Sequence, residues 1–125
     1  MMRPKVSVLA SFYNLAPYVD QTLQSVLSQQ TTFDVEVVCA DDGSDDGTQE
    51  KLHDWCSRFP DKIRMFVMER QPGVKQDNRS RIRRLNAIRG RLFREARGEY
   101  ICYLDGDDFY SDVHKLQKQA DILDA

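Results

Sequence analysis

An α/β fold, with a mostly parallel sheet and helices on both faces, is predicted from two observations. Apolar β-branched runs alternate along the chain with amphipathic helical patterns, in the order β-α-β-α-β-α-β-α. The chain has 125 residues, of which 41% are hydrophobic, and this suffices for one core. We therefore expect residues 1–125 to form a single domain, because strands alternating with helices form a parallel sheet covered on both faces.

The four predicted strands are short apolar runs bounded by turn residues. They are Lys5–Phe12, Val35–Ala40, Ile63–Met68 and Tyr100–Leu104.

The four predicted helices carry apolar residues at helical spacing. The first begins near Pro17, the second ends at Pro60, and the fourth begins at about Ser111. The apolar positions are Val19, Leu23, Val26 and Leu27; Leu52, Trp55, Cys56 and Phe59; Ile82, Leu85, Ile88, Leu92 and Ala96; and Val113, Leu116, Ala120 and Leu123.

Composition excludes several classes of protein. The chain has 18 basic and 20 acidic residues, a net charge of -2, which excludes a uniformly basic nucleic-acid binder, although Glu69–Arg97 alone carries ten basic and three acidic residues. No apolar run is long enough to span a bilayer, and the first residues lack the pattern of a secretory signal. The three cysteines show no CxxC spacing, so we expect neither disulfides nor zinc, and the reducing cytoplasm as the location.

Polar residues follow three of the predicted strands. They are Ser11–Asn14 after the first strand, Asp41–Ser44 after the second and Asp105–Asp107 after the fourth. Parallel α/β sheets bind ligands outside the carboxyl ends of their strands. The sequence therefore predicts one ligand site at that edge of the sheet.

The acidic residues of this edge favour a hard cation. Asp105, Asp107 and Asp108 fall within four residues, and carboxylate oxygens suit Mg²⁺ or Mn²⁺. A solvated acidic turn is the alternative, because Asp and Gly are common turn residues. The position beside two other polar strand ends favours the metal.

Two further groups of this edge leave alternatives open. In Asp41–Ser44, a carboxylate could accept hydrogen bonds from a base or a sugar, while Ser44 or Asp45 caps the next helix. Tyr13 could stack on a planar base or pack at the edge of the core.

The arginines of the third helix are expected to form mainly a solvated face. Arg79 or Arg81, near its beginning, could reach a phosphate, and the others could serve anionic lipid or nucleic acid. These arginines are Arg79, Arg81, Arg83, Arg84, Arg89, Arg91, Arg94 and Arg97.

Taken in order, these segments resemble the nucleotide-binding half of an inverting family 2 glycosyltransferase, which has the Rossmann-like GT-A fold. The resemblance covers nearly the whole chain. It is carried by Val6–Asn14, Asp41–Thr48, Gly73-Val74, Asn86 with Gly90, Arg97–Ile101 and Asp105–Asp108.

The resemblance implies a role for each matched residue. Ser11 and Tyr13 would lie against the nucleotide base, and Asp42 would hydrogen-bond it. Asp105 and Asp107 would form the DxD motif, with Asp105 near the ribose and also at the metal, and Asp107 binding the metal that holds the diphosphate. The implied donor is a nucleotide-diphosphate sugar, often a UDP-sugar, with Mn²⁺ or Mg²⁺ as cofactor. A saccharide or lipid-linked acceptor, as in polysaccharide biosynthesis, is the implied partner.

The sequence departs from the family pattern at two places. Ser11 stands where many members have proline, and Arg84–Asn86 replaces the commoner Ala-Arg-Asn. The second departure leaves open which arginine contacts the diphosphate, and Arg79 is the candidate that we name.

The catalytic base expected of the family is missing before Ala125, because Asp121 and Asp124 resemble ordinary exposed helix residues. We therefore expect the chain to be part of a longer protein, inactive by itself, whose acceptor-binding half follows. The longer protein is expected at the inner face of the membrane, as a peripheral protein.

Other classes fit less well. A two-component receiver domain needs an acidic pair after its first strand, and an aspartate phosphatase needs its motif there, with Thr or Val where Phe109 stands. The alternative that remains is a non-catalytic nucleotide-sugar or phosphate binding module, and a nucleic-acid binder comes third.

Overall fold

The computed structural model describes residues 3–70 and 77–125. In these two segments, strands and helices alternate as predicted. The strands are β1 (Val6–Phe12), β2 (Val35–Asp41), β3 (Ile63–Val67) and β4 (Tyr100–Asp105), and the helices are α1 (Ala16–Leu27), α2 (Thr48–Arg58), α3 (Asn78–Glu95) and α4 (Lys115–Asp124). The predicted loop Gln71–Gly73 and the Gly73-Val74 pair lie outside the described residues.

The sheet is parallel throughout, with the strand order β3-β2-β1-β4. Ser11 of β1 lies beside Ala40 of β2 on one side and beside Asp105 of β4 on the other. The ends of β1, β2 and β4 therefore form one continuous edge, and the predicted α/β fold class is confirmed.

Two apolar clusters lie on opposite faces of the sheet. On one face, Val8 and Phe12 pack with Leu23 of α1 and Leu52 of α2. On the other face, Leu9 and Val38 pack with Ile88 and Leu92 of α3. Side chains alternate between faces along a strand, so the residues of β1 and β2 that point towards α3 are Ser7, Leu9 and Ser11 and then Glu36, Val38 and Ala40. Helices thus cover both faces, as expected.

Helix α3 buries a narrower stripe than the sequence predicted. Ile88 and Leu92 are buried, but Ile82 is 60% exposed and Leu85 is 40% exposed. The helix ends at Glu95, so Ala96 and Arg97, which the sequence analysis assigned to it, lie beyond its end. Ala96 still packs against the α3-side cluster.

Helix α4 begins four residues later than the predicted Ser111. The segment before Lys115 hydrogen-bonds to the residues that follow α1 instead, since Gln29 Nε2 donates to the Asp112 carbonyl at 2.8 Å and the Gln30 amide donates to the Val113 carbonyl at 2.7 Å. Those tertiary bonds hold the segment in a non-helical path. Within the described segments, none of the helices combines the length and the apolar character needed to cross a membrane.

Candidate functional site at the carboxyl edge of the sheet

The loop after β2 is organised by a buried carboxylate, Asp41. Its Oδ2 accepts hydrogen bonds from the amides of Gly43 (3.1 Å) and Ser44 (2.9 Å) and from Nε2 of Gln49 (2.9 Å), and its Oδ1 accepts from the Ser44 hydroxyl at 2.6 Å. Gly43 has φ of 78°, a left-handed conformation that glycine adopts without strain. Asp41 is therefore a structural residue that shapes the loop presenting Asp42.

The loops after β1 and β2 are joined to each other. The Asn14 amide donates to the Ser44 hydroxyl at 2.9 Å, and Asn14 Oδ1 accepts from the Asp45 amide at 3.0 Å. These bonds fix the position of Tyr13, which comes just before Asn14. The prediction that Ser44 or Asp45 caps α2 is wrong. The N-cap residue is Gly47, and the start of the helix has no side-chain cap hydrogen bond.

Asp42 is the centre of a group of charged and aromatic side chains. Arg70 donates through Nη2 to Asp42 Oδ2 at 3.0 Å and through Nε to the Asp42 carbonyl at 2.7 Å. Arg84 donates from Nε to the other carboxylate oxygen, Oδ1. The Arg70 guanidinium also lies 4.0 Å from the ring centroid of Tyr13. Tyr13 is 44% exposed, so its ring belongs to this edge and not to the core.

The acidic residues after β4 converge on one point. One carboxylate oxygen from each of Asp105, Asp107 and Asp108 lies within 4.8 Å of the others, and all three residues are exposed. The Gly106 amide donates to the Ser11 carbonyl at 3.0 Å, and a Cβ at Gly106 would lie 2.6 Å from that carbonyl oxygen. Glycine is therefore required for the loop to approach β1 so closely.

A residue of helix α1 also fixes the acidic loop. The buried Thr22 hydroxyl lies 2.8 Å from the Gly106 carbonyl oxygen and 2.7 Å from that of Asp108. Three convergent carboxylates on a backbone fixed in this way fit a hard divalent cation such as Mg²⁺ or Mn²⁺. They also leave room for water or phosphate oxygens as further ligands.

Ser11 and Asp105 line one cavity of about 370 Å³ on the α3 side of the sheet. Arg89 of α3 lines the same cavity, together with Tyr103 of β4. The structure thus brings Ser11 and Asp105 together, as the sequence predicted. It also places Arg89, which the sequence analysis did not single out, at the same cavity.

The exposure and the partners of the arginines differ from what the sequence analysis expected. Arg79 is exposed in the first turn of α3, and none of the hydrogen bonds in the described segments joins its side chain to Asp42 or Asp105. Arg84 had been assigned to the solvated face, but its side chain is only 14% exposed. Arg70 was missed as well, because no local pattern connects an arginine after β3 with a carboxylate after β2.

Cys39 and Cys56 are poor candidates for a nucleophile. Burial raises the pKa of the Cys39 thiol far above its usual range, and burial also raises the pKa of Cys56. A thiol with a raised pKa carries little thiolate at neutral pH. Covalent catalysis by either residue is therefore disfavoured.

The sequence matches a known protein family over most of its length. The sequence pattern described as glycosyl transferase family 2 matches residues 7–125. This chain belongs to glycosyl transferase family 2. An uncharacterized glycosyltransferase from Nostoc sp. strain PCC 7120 is 35% identical over 119 residues, which are 95% of this chain and 33% of that protein.

Two solved structures share the fold. TarS residues 1–349 from S. aureus, in complex with UDP, match with a TM-score of 0.67 and 25% identity, over 96% of this chain and 32% of that one. The mannosyltransferase PcManGT from Pyrobaculum calidifontis, in complex with GDP-Man and Mn²⁺, matches with a TM-score of 0.74 and 25% identity, over 100% and 34%. The chain thus spans about a third of the length of these proteins.

Proposed function

We propose that residues 1–125 are the nucleotide-sugar-binding part of an inverting glycosyltransferase that uses a UDP-sugar and transfers its sugar to a saccharide or lipid-linked acceptor. The observation that carries the proposal is the arrangement of the carboxyl edge. Tyr13 and Asp42 lie at the ends of β1 and β2, and the carboxylates of Asp105, Asp107 and Asp108 converge at the end of β4. The residues proposed for the base and the residues proposed for the metal thus share one edge.

Each group has a defined task in this proposal. Tyr13 stacks on the base, Asp42 accepts the imide N–H of uracil, and Ser11 lies beside the nucleotide. Asp105 contacts the ribose and joins Asp107 in holding Mn²⁺ or Mg²⁺. When bound, the metal supplies positive charge that offsets the diphosphate and stabilises it as a leaving group.

The need for a cation follows from the charges of the site. Two like unit charges 4 Å apart repel by about 4 kcal/mol at an effective dielectric of 20. Three carboxylates converge within 4.8 Å, so a diphosphate docks poorly beside them without a cation. The structure of PcManGT with GDP-Man and Mn²⁺ supports the same chemistry in a protein of this fold.

We assign the catalytic base, which deprotonates the acceptor hydroxyl, to a residue outside residues 1–125. Inverting transfer needs a base within hydrogen-bond reach of the acceptor hydroxyl. Asp124 lies at the opposite edge, where its carboxylate accepts hydrogen bonds from Lys5 and Tyr100 at 2.5 Å each. We therefore propose that a longer chain supplies the base, that residues 1–125 alone bind donor without transferring it, and that the enzyme works in the cytoplasm.

Calorimetry of UDP with and without Mn²⁺ tests the proposal. We expect binding only with the metal, and Asp107→Ala should abolish the metal dependence along with most of the affinity. Asp42→Ala should weaken UDP by at least about tenfold, because a hydrogen bond to a charged group contributes about 1.5–3 kcal/mol. Asp61→Ala is the matched control, since Asp61 is exposed just before β3, at the far edge of the sheet. Metal-independent binding that Asp107→Ala leaves intact would refute the proposed site.

A non-catalytic nucleotide-sugar or phosphate binding module remains the second candidate, favoured by the remote position of Asp124. Turnover of a UDP-sugar by the full-length protein, and its loss on Asp107→Ala, distinguishes the enzyme from the module.

A further inference from the structure

Arg84 differs from the other arginines around it on α3. Its side chain is 14% exposed, whereas its neighbour Arg83 is exposed. Its guanidinium donates from Nε to Asp42 Oδ1, from Nη1 to the Glu69 carbonyl at 3.0 Å, and from Nη2 to the Met68 carbonyl. One side chain of α3 thus joins the residue after β2 to the backbone after β3.

These three bonds leave the guanidinium little freedom. Its donors point in fixed directions within one plane, so two backbone carbonyls and a carboxylate together define its position. Arg70 holds the second carboxylate oxygen, Oδ2, at 3.0 Å. The Asp42 carboxylate is therefore held at both oxygens and cannot turn without breaking an ion pair.

We propose that Arg84 is a positioning residue that makes Asp42 selective for a base with an imide N–H, and this inference rests on the proposed function. Each carboxylate oxygen has two lone pairs, so both can still accept a further hydrogen bond while paired with an arginine. A fixed carboxylate accepts the N3–H of uracil. The same carboxylate repels cytosine, whose N3 is an acceptor.

The selectivity depends on the carboxylate being unable to turn. A carboxylate released from Arg84 can rotate to accept a hydrogen bond from the exocyclic amino group of cytosine. Loss of Arg84 should therefore change the preference between the two bases. A purely structural role would instead weaken the binding of both nucleotides to the same extent.

The test measures dissociation constants of UDP and CDP, each with Mn²⁺, for the wild type and for Arg84→Ala. We expect the dissociation constant of CDP divided by that of UDP to fall by about five- to twentyfold, which lies within the range of coupling between contacting groups. Arg84→Lys should lower the ratio as well, because a lysine ammonium cannot make three directed bonds in one plane. Arg83→Ala is the matched control and should leave the ratio unchanged.

A double-mutant cycle with Asp42→Ala completes the experiment. In the Asp42→Ala background, Arg84→Ala should no longer change the ratio, because the group that it positions is absent. If Arg84→Ala and Arg84→Lys keep the wild-type ratio, or weaken UDP and CDP equally, the inference is overturned while the proposed function stands. If the wild type binds neither nucleotide, the proposed function fails and this inference fails with it.

Discussion

The two ends of strand β2 carry similar groups with different surroundings. Glu36 near its beginning and Asp42 just after its end each pair with an arginine of the β3 segment, Arg64 and Arg70. The Glu36 side chain is 2% exposed, and the Asp42 side chain is 22% exposed. The ion pair of Glu36 therefore has a buried carboxylate, and the ion pair of Asp42 has a carboxylate that is partly exposed to solvent. We call these two ends of β2 the closed end and the open end.

At the closed end, the Glu36 carboxylate accepts three hydrogen bonds from separate parts of the chain. The Ser7 hydroxyl donates to Glu36 at 2.6 Å, Arg64 Nη2 at 2.8 Å and the Arg97 amide at 2.7 Å. Burial alone would raise the pKa of Glu36, but these three hydrogen bonds outweigh it and lower the pKa below its usual value. A buried carboxylate with such partners stabilises the fold. By contrast, none of the described residues donates a hydrogen bond to the carboxylates of Asp105 or Asp107.

The largest effect is expected at the closed end. Glu36→Ala leaves the Ser7 hydroxyl and the Arg97 amide without their acceptor, and Arg64 keeps Glu95 as its remaining ionic partner. Removing one member of a buried ion pair costs roughly 3 kcal/mol or more, and we expect a loss of up to about 3 kcal/mol here because Arg64 is partly exposed and keeps that second partner. Urea unfolding followed by circular dichroism measures the change. Asp42→Ala, the same operation at the more exposed pair, should cost less. An equal loss for both variants would contradict the contrast between the two ends.

Asp105→Asn with Asp107→Asn sharpens the contrast from the open end. This double change removes two like charges of the exposed cluster, so the thermal midpoint should stay the same or rise. Binding of UDP with Mn²⁺ should fall by more than about tenfold, because amide oxygens carry no charge for the cation. A lower midpoint, with binding retained, would make the cluster a structural feature.

The dependence of stability on pH gives a third test, this time of the closed end. The pKa of Glu36 is lowered in the folded state from an ordinary value of 4.5. A lowered pKa means that the ionised group stabilises the fold above pH 4.5 and that this contribution is lost as the pH falls through the folded value. Glu36→Gln should therefore flatten the fall in stability below pH 4.5. Urea unfolding of the wild type and of Glu36→Gln at a series of pH values measures this difference.

Local patterns in the sequence predicted the sheet and the three polar strand ends, because strand alternation and turn residues are short-range signals. The start of α4 was predicted wrongly, since Gln29 and Gln30 hold the segment before it through tertiary hydrogen bonds. The roles of Arg70 and Arg84 could not be predicted either. Their pairing with Asp42 spans 28 and 42 residues, and it depends on the sheet order β3-β2-β1-β4, which periodicity does not reveal.

Arg79→Gln is expected to have the smallest effect. Arg79 is exposed in the first turn of α3, and its contact with the diphosphate stays a prediction from the sequence. Exposed ion pairs contribute about 0.2–1 kcal/mol, so UDP binding with Mn²⁺ should weaken by up to about fivefold. The effect should shrink as salt is added, because exposed charges are screened.

Arg94→Gln on the same helix provides the comparison for Arg79. Arg94 is exposed in the last turn of α3, towards the closed end, so its change should leave UDP binding unaltered at every salt concentration. Calorimetry at low and physiological salt measures both variants. Equal behaviour of Arg79→Gln and Arg94→Gln would remove Arg79 from the site. Arg89, which lines the cavity together with Ser11 and Asp105, would then be the next arginine to test.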